Sequence, residues 1–438
     1  MISERLNRNC FCVSLDPLGL RQALLAELGT PELVKLIEER CPYLFSSRPV
    51  FISDSQAAQF SDLVSAVEAV VALPTYQQHV LANAPEIARH GSGGAKGVFF
   101  GYDFHVSNET VGVIEVNTNA GGAMLNAVVA RAHHACCLDD ERIALATYQA
   151  TNLEKSIMEM FFAEWNASGR TRPLRTVAIV DSAPEQQYLY PEFLLFHRLF
   201  QRNGIQAIIA DPSALDMRGG LLMHGDIEID LTYNRSTDFM LEQPESASLQ
   251  LAYLENAVVL TPHPQAHALY ANKGNLALLC DERQLQAFGA PQEVRDVLAK
   301  HMLKTEIVEP SNADRLWSER RTRFFKPLAG FGSRAAYRGD KLTKRVWQEI
   351  ISGGYIAQQI LAPGKRVAGT KDQPEQLKFD IRCYTYAGAI QWTAARMYQG
   401  QTTNFRTAGG GFAPVYSLPD KEVVSQMDAA NCCTKMCN

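Results

Sequence analysis

Phe324-Phe325-Lys326-Pro327-Leu328-Ala329-Gly330-Phe331-Gly332-Ser333 is the most informative run in this chain of 438 residues. An apolar, strand-like segment ends on a lysine, and a glycine-rich turn follows at once. A second apolar run, Tyr355-Ile356-Ala357-Gln358-Gln359-Ile360-Leu361, comes soon after. The common phosphate-loop pattern, GxxxxGK[ST], does not occur. A lysine on a strand beside a glycine turn holds phosphates in another way. The ammonium neutralises phosphate charge, and the glycine N–H groups approach with no Cβ in the way. A solvated lysine before an ordinary turn has the same local sequence, so the run needs a partner.

The partner lies far upstream. Asp103 sits in Phe99-Phe100-Gly101-Tyr102-Asp103-Phe104, and the turn Ser107-Asn108-Glu109 separates it from Val111-Gly112-Val113-Ile114-Glu115-Val116-Asn117. Together these read as a β-hairpin. In its second strand Glu115 and Asn117 alternate with Ile114 and Val116, so they project to one face. The first strand can bring Asp103 to that face. Two carboxylates and an amide oxygen form a hard, all-oxygen set suited to Mg²⁺ carried in by ATP phosphates. A polar strand face in water is the plain alternative.

Composition sets the outer bounds. The length favours two or three domains. A hydrophobic content of 46% and a charged content of 20% are those of an ordinary soluble globular protein. A net charge of −5 gives no electrostatic reason to expect nucleic-acid binding. No apolar run approaches a membrane span, and the first nine residues lack the apolar core of a signal peptide. The expectation is a cytoplasmic protein that binds neither nucleic acid nor membrane. Ten cysteines are many for such a protein. Cys280 and Cys383 lie in apolar, strand-like runs and read as buried thiols. The others include Cys10 with Cys12, Cys136 with Cys137, and Cys432, Cys433 and Cys437 in the tail. No pair of CxxC motifs at zinc-finger spacing is present. His133 and His134 on a helix do not share a face and read as ordinary surface and core residues.

Along the chain, 31–39 and 61–73 carry helical periodicity. After the hairpin come helices over about 122–135 and 139–166. Arg170-Thr171-Arg172-Pro173 reads as a link to a new domain. There Val177-Ala178-Ile179-Val180 is a buried strand, and Leu189, Phe193, Phe196 and Phe200 share a helical face. Ile205-Gln206-Ala207-Ile208-Ile209 is the next strand. Ile227-Glu228-Ile229-Asp230-Leu231-Thr232-Tyr233 is a further strand that delivers Asn234 and Arg235. This is a small Rossmann-like unit without a dinucleotide fingerprint, and ligands bind beyond the carboxyl ends of such strands. Arg235, and Glu185 and Gln187 in the turn after the first strand, are therefore candidates for substrate contact, with surface charge as the alternative. Beyond 265, Asn272-Lys273-Gly274-Asn275 introduces the apolar Leu276-Ala277-Leu278-Leu279-Cys280. A helix over 342–351 precedes the Tyr355 strand. Residues 379–396 read as a hairpin turning at Ala387-Gly388, with Asp380, Arg382 and Arg396 upon it. Asn404 to Ala413 is a loop rich in glycine and small residues.

Lysine, glycine loop, linker strand, Asp-x-Arg hairpin and Glu-x-Asn strand together resemble the ATP-grasp ligases. The Glu-x-Asn strand precedes the lysine here, with a Rossmann-like unit between. That order is similar to the permuted branch of glutathionylspermidine synthase and eukaryotic-type glutathione synthetase. The resemblance implies an α/β (α+β) permuted ATP-grasp fold with an inserted Rossmann-like substrate domain. Its parts would be 1–172 (helical region plus metal-binding part), 173–262 (substrate domain), 263–420 (nucleotide-binding part) and a Cys-rich tail, 421–438. It implies ATP and Mg²⁺, with Asp103, Glu115 and Asn117 as metal ligands and Lys273 and Lys326 as phosphate lysines. Gly330, Gly332 and Ser333 would close over the phosphates, and the backbone of Gln358, Gln359, Ile360 and Leu361 would read adenine. Arg396 and the lid around Gly410 would meet substrate, with Arg382 and Lys326 beside Arg396 in catalysis. One departure stands out. The branch has a metal-holding glutamate near Gly330, and this loop has none, so either Asp380 substitutes or one magnesium is held more loosely.

The implied chemistry is an amide ligation through an acyl phosphate, joining a small-molecule or peptide carboxylate to an amine. Such a site needs positioning and charge neutralisation more than a nucleophilic side chain. Two other classes stay open: a nucleotide-binding regulator without turnover, and a metal or redox protein using the terminal cysteines. The sequence leaves the acid, the amine and the oligomeric state open.

Overall fold

Period-two alternation in the strands builds a sheet with an apolar face and a charged one. The structure is a computed structural model that describes residues 1–11, 15, 17–132, 140–330 and 335–420, with backbone alone for 140–148, 150 and 151. In chain order its strands are β1 (Val50–Ser53), β2 (Phe100–Ser107), β3 (Thr110–Asn117), β4 (Thr176–Val180), β5 (Gln206–Ala210), β6 (Leu215–Arg218), β7 (Leu221–His224), β8 (Ile227–Glu228), β9 (Leu231–Asn234), β10 (Val259–Thr261), β11 (Thr305–Ile307), β12 (Arg323–Pro327), β13 (Tyr337–Arg338), β14 (Tyr355–Gln359), β15 (Gly364–Gly369), β16 (Pro374–Tyr386), β17 (Ala389–Tyr398) and β18 (Gly411–Leu418).

The large sheet runs β1-β18-β17-β16-β2-β3, with β15 on the first half of β16. The second half of β16 pairs with β2, which sets Arg382 directly opposite Asp103. The β16–β17 turn uses Ala387 at φ 48° and Gly388 at φ 81°, the left-handed pair that a tight hairpin requires. Phe379, Ile381 and Cys383 of β16 enter one core with Tyr102, Phe104, Ala395 and Met397. The helix Asp54–Val71 covers that face with Phe60, Leu63, Val64 and Val67. It is opened by a capping box in which Ser53 and Gln56 exchange hydrogen bonds, the arrangement that satisfies two orphan donors at a helix start. Asp380, Arg382 and Tyr384 turn to the opposite face, as alternation demands.

The second sheet, β10-β9-β4-β5, is parallel throughout. The chain leaves β4 toward β5 and later returns to its other side as β9, so the topological switch point lies between β4 and β9. A single core joins this unit to the rest. Phe161 and Trp165 of the helix Asp140–Ala167 pack with Phe193, Phe196, Tyr233, Tyr384 and Phe412. The core therefore runs unbroken past the Arg170–Pro173 link. The third sheet, β11-β14-β12-β13, has its own core of Phe325, Ala357, Leu316, Trp347 and Ile350.

Two local expectations are corrected. The apolar run 276–280 is not strand-like: Gly274–Leu278 is a short helix, with Leu276 and Leu279 buried. The run 227–233 is two strands rather than one. Asp230 leaves the ladder, accepts the N–H groups of Arg175 and Thr176, and pairs with Arg172 at 2.6 Å. Cys383 is buried and Cys280 half-buried, as free thiols. Cys12, His133, His134, Cys136, Cys137 and the tail from 421 lie outside the described residues. Among the described residues no single helix is long and apolar enough to cross a membrane.

Glu164, fully buried, fastens three parts together. It accepts from the N–H groups of Lys96 and Gly97, from Thr261 Oγ1 at 2.6 Å and from Tyr386 Oη at 2.9 Å. Glu164→Ala strands four donors and is expected to cost at least ~3 kcal/mol, read as a lower urea midpoint at unchanged slope.

Candidate active site

The charged face of the large sheet meets the small third sheet through Lys326. Asp103 and Glu115 are cross-strand partners on β2 and β3, so they share a face. Asn117 gives its amide N–H₂ to Asp103 Oδ2 at 3.1 Å and to Glu115 Oε1 at 3.3 Å. On β16 and β17, Arg382 grips Asp103 with Nε and Nη2, both at 2.6 Å. Arg396 Nη2 reaches Asp103 at 2.8 Å, and its Nε donates to Asp380 at 2.7 Å. The Thr403 hydroxyl, at the root of the glycine-rich loop, also donates to Asp380. Burial alone would raise the Asp103 carboxyl, but Arg382 and Arg396 outweigh it and hold the group below the usual carboxylate range. Asp380 is fully buried and already carries two partners, so it does not stand open as a replacement for the loop glutamate.

Lys326 enters from the third sheet. Its Nζ donates to Ile114 O on β3 at 2.8 Å and to Gln358 Oε1 on β14 at 2.9 Å. The lysine thus ties the two sheets together at the strand that bears Glu115. Burial pushes its pKa down to about 8, with Glu115 opposing the shift and Lys273 adding to it. Because a lysine can only donate, Gln358 must turn its oxygen to Lys326. Its Nε2 is then a buried donor with no partner among the described residues, a group that a ligand oxygen would satisfy. Lys273 Nζ donates to the Gly330 carbonyl at 2.8 Å, and Gly330 has φ 143°. Gly332 and Ser333 lie outside the described residues.

The linker is held along its length. Gln359 and Ile360 give their N–H groups to Lys304 and Thr322. The Leu361 carbonyl meets His105 Nδ1 at 2.7 Å. A carbonyl only accepts, so Nδ1 bears the proton and Nε2 is an acceptor. Burial lowers the ring's pKa. Sequence reasoning missed His105, although it lies two positions beyond Asp103 on the same strand. It also missed the Gln358 side chain, having assigned only the linker backbone.

The proposed substrate residues divide. Glu185 and Gln187 occupy the turn after β4, where their carbonyls accept from Arg40. The next residue, Tyr188, stacks on Phe405 of the glycine-rich loop, with ring centroids 5.9 Å apart, and donates to its carbonyl. Arg235 lies at the switch point but is committed. It pairs with the fully buried Glu192 at 3.2 Å and donates to Tyr233 Oη at 3.0 Å. Glu192 in turn accepts from the N–H groups of Gly122 and Met124, just beyond β3. Asp181 stands beside it, raised by burial to about 7 against the pull of Arg235. At Gly410 a Cβ would stand 2.5 Å from the Met397 carbonyl, so its evident role is close packing.

The donor set fits a hard divalent cation at two of its three expected ligands. Among the described residues the Glu115 carboxylate has one amide partner, Asn117 Nδ2, and a flip of that amide would bring the Asn117 oxygen to the carboxylate's side. Asp103 does not fit, because its oxygens are taken by guanidinium groups. Asp103, Glu115 and Asp380 face Lys273, Lys326, Arg382 and Arg396, so the site carries one formal positive charge in excess, which suits an anionic, metal-bound polyphosphate.

The low lysine pKa gives a pH prediction. From pH 7 to pH 9 the charged fraction of Lys326 falls about tenfold, so the dissociation constant of any anion that this ammonium neutralises should rise about tenfold on calorimetric titration. Unfolded lysine titrates near 10.4, so between about pH 8 and pH 10.4 the unfolded chain holds a proton that the folded one has lost. This group's contribution to the stability of the ligand-free protein should then rise with pH across that window.

No protein-family model matches the chain, and no curated protein matches it. Solved structures do. A glutathione synthetase-like effector from Globodera pallida, in its apo form, superposes with a TM-score of 0.54 over 93% of this chain and 98% of that one, at 11% identity. A gamma-glutamylcysteine synthetase-like protein from Methylobacillus flagellatus gives 0.41 over 81% and 86%, at 10% identity. The ATP-grasp ligase PsnB, complexed with minimal precursor, Mg and ADP, gives 0.29 over 58% and 95%, at 13% identity. The last two scores carry no argument. The first shows the fold: the chain has the glutathione synthetase-like, ATP-grasp fold that its motifs led one to expect.

Proposed function

We propose that this chain is an ATP-dependent ligase that joins a carboxylate to an amine through an acyl phosphate. One observation carries the reading. Lys326 crosses from the third sheet to the backbone of the strand bearing Glu115 and Asn117, and the orphaned Gln358 amide stands beside it. A phosphate chain placed there meets the lysine charge on one wall and oxygen ligands on the other. Mg²⁺, when bound, neutralises the phosphates and polarises the transferring group. Glu115 and Asn117 are the residues that would hold it.

The substrate carboxylate oxygen attacks the γ-phosphorus, and the bond to the β-phosphate oxygen breaks, leaving ADP. The amine then attacks the acyl carbon, phosphate leaves, and the amine proton passes to solvent. Lys326 and Lys273 neutralise the phosphates. Arg382 and Arg396, held rigid by Asp103 and Asp380, face the developing charge without reorganising. The glycine-rich loop 399–410 and the Gly330 turn are the segments that would exclude water from the acyl phosphate. The Leu361 peptide, pinned by His105, presents the linker to adenine. Glu185, Gln187 and the switch point lie where the acid or amine would enter, and either a small molecule or a peptide end is admitted by this chemistry.

The test is ADP release by the purified protein with Mg-ATP and paired pools of acids and amines, followed by mass analysis of the product. ADP formed only with one acid and one amine, with the matching amide, supports the ligase. Tight Mg-ATP binding with no turnover in any pool supports a nucleotide-binding regulator instead.

A further inference from the structure

We infer that Asp103 is a positioning residue for Arg382 and Arg396, and that the metal requirement of the site rests on Glu115 and Asn117. The inference rests on the nucleotide reading of the site. An ionised carboxylate has about four lone-pair positions. Those of Asp103 face Arg382 Nε on Oδ1, and Arg382 Nη2, Arg396 Nη2 and Asn117 Nδ2 on Oδ2. Its side chain is fully buried. A divalent ion on Oδ2 would displace one of its three donors, and one on Oδ1, which accepts from Arg382 Nε alone, would sit against two fixed positive charges. Glu115 is different: it is half-buried, and among the described residues its one hydrogen bond comes from Asn117. Mg²⁺ takes one or two protein carboxylates and fills its octahedron with phosphate oxygens and water, so Glu115 and the Asn117 oxygen suffice.

The arginines gain definite geometry from this arrangement. Cross-strand pairing sets Arg382 opposite Asp103 and Arg396 opposite Asp380. Asp103 then bridges the two guanidinium groups, and Asp380 holds the second from behind. Each arginine keeps N–H groups beyond these bonds. Asp103 thus acts on substrate through the two arginines.

The experiment is thermal melting of the full chain at saturating ADP while Mg²⁺ is titrated, with the Mg²⁺ concentration for half-maximal stabilisation as the readout. Glu115→Gln is expected to raise that midpoint by at least about tenfold, since even outer partners of a metal site are worth about 10–100-fold. Asp103→Asn keeps an oxygen for Asn117 and is expected to leave the midpoint within about twofold. A second readout separates positioning from bulk destabilisation. Asp103→Asn should shrink the affinity gap between a non-hydrolysable ATP analogue and ADP by about tenfold, because the arginines meet the terminal phosphate. If Asp103→Asn folds poorly, the double variant Asp103→Asn/Arg382→Gln removes the charged Asp103–Arg382 pair together, leaves Arg396 its bond to Asp380, and should show the same Mg²⁺ midpoint as the parent. A midpoint raised in these variants as far as in Glu115→Gln overturns the inference. A parent protein that ADP and Mg²⁺ never stabilise overturns the nucleotide reading itself, and this inference with it.

Discussion

Replacing Lys326 by methionine is expected to lower affinity for Mg-ADP about 100-fold and ATP turnover about 1,000-fold, the scale at which loss of one preorganised charged donor is felt. The ligand-free variant should nevertheless melt no lower than the parent. Lys326 gives its ammonium to Ile114 O and Gln358 Oε1, and both are neutral acceptors. Burial holds its pKa near 8, so keeping the charge at neutral pH costs about 3 kcal/mol at most. Solvent at the partly open side chain reduces that figure. Methionine fills similar volume without the charge, and the cost of leaving Gln358 Oε1 unpaired works against the gain. Stability retained with nucleotide binding lost is the signature of a functional charge. A variant that loses both equally would make Lys326 a structural bridge between the sheets. Calorimetric titration and a melt on the same sample separate the two.

The second large effect is expected at Arg235, and it falls on stability. Arg235→Ala leaves the fully buried Glu192 without its counter-charge, which typically costs 3–5 kcal/mol, about what unfolds many proteins at physiological temperature. The guanidinium also lies 5.5 Å from the ring centroids of Phe193 and Tyr233, so packing is lost as well. Glu192→Gln/Arg235→Met removes both charges, and its melt should fall well above that of the single variant. Urea unfolding of the three proteins measures this. If Arg235→Ala unfolds within about 0.5 kcal/mol of the parent, as surface changes do, the arginine is free for a ligand and its pairing with Glu192 is incidental.

Much of this site was legible in the chain. Glu115 and Asn117 announce a common face by their spacing, and β16 announces its two faces through Phe379, Ile381 and Cys383 alternating with Asp380 and Arg382. Lys326 before a glycine turn marked the opposite wall. What the residues did not reveal were partners set by register between distant strands. Asp103 and Arg382 are 279 residues apart, and only the β2–β16 pairing makes them neighbours. A carboxylate that reads as a metal ligand from its hairpin is therefore found clasped by arginines. Arg235 is a similar case: its strand end marked a binding position, but its partner Glu192 comes from a helix whose facing could not be set against it. Short apolar runs misled in their own way. Leu276 to Cys280 has no period long enough to separate helix from strand. His105 carried no signal beyond its place in the strand, because its partner is a backbone carbonyl.

The central claim is that a metal-bound nucleotide lies between the strand of Glu115 and Asn117 and the strand of Lys326. Calorimetric titration of a Mg-bound, non-hydrolysable ATP analogue into the full chain tests it most directly. The expected result is one site of micromolar affinity, about −8 kcal/mol, that depends on Mg²⁺ and is weakened about 100-fold in Lys326→Met. Absence of binding at millimolar analogue, or binding that persists unchanged in Lys326→Met, would contradict it.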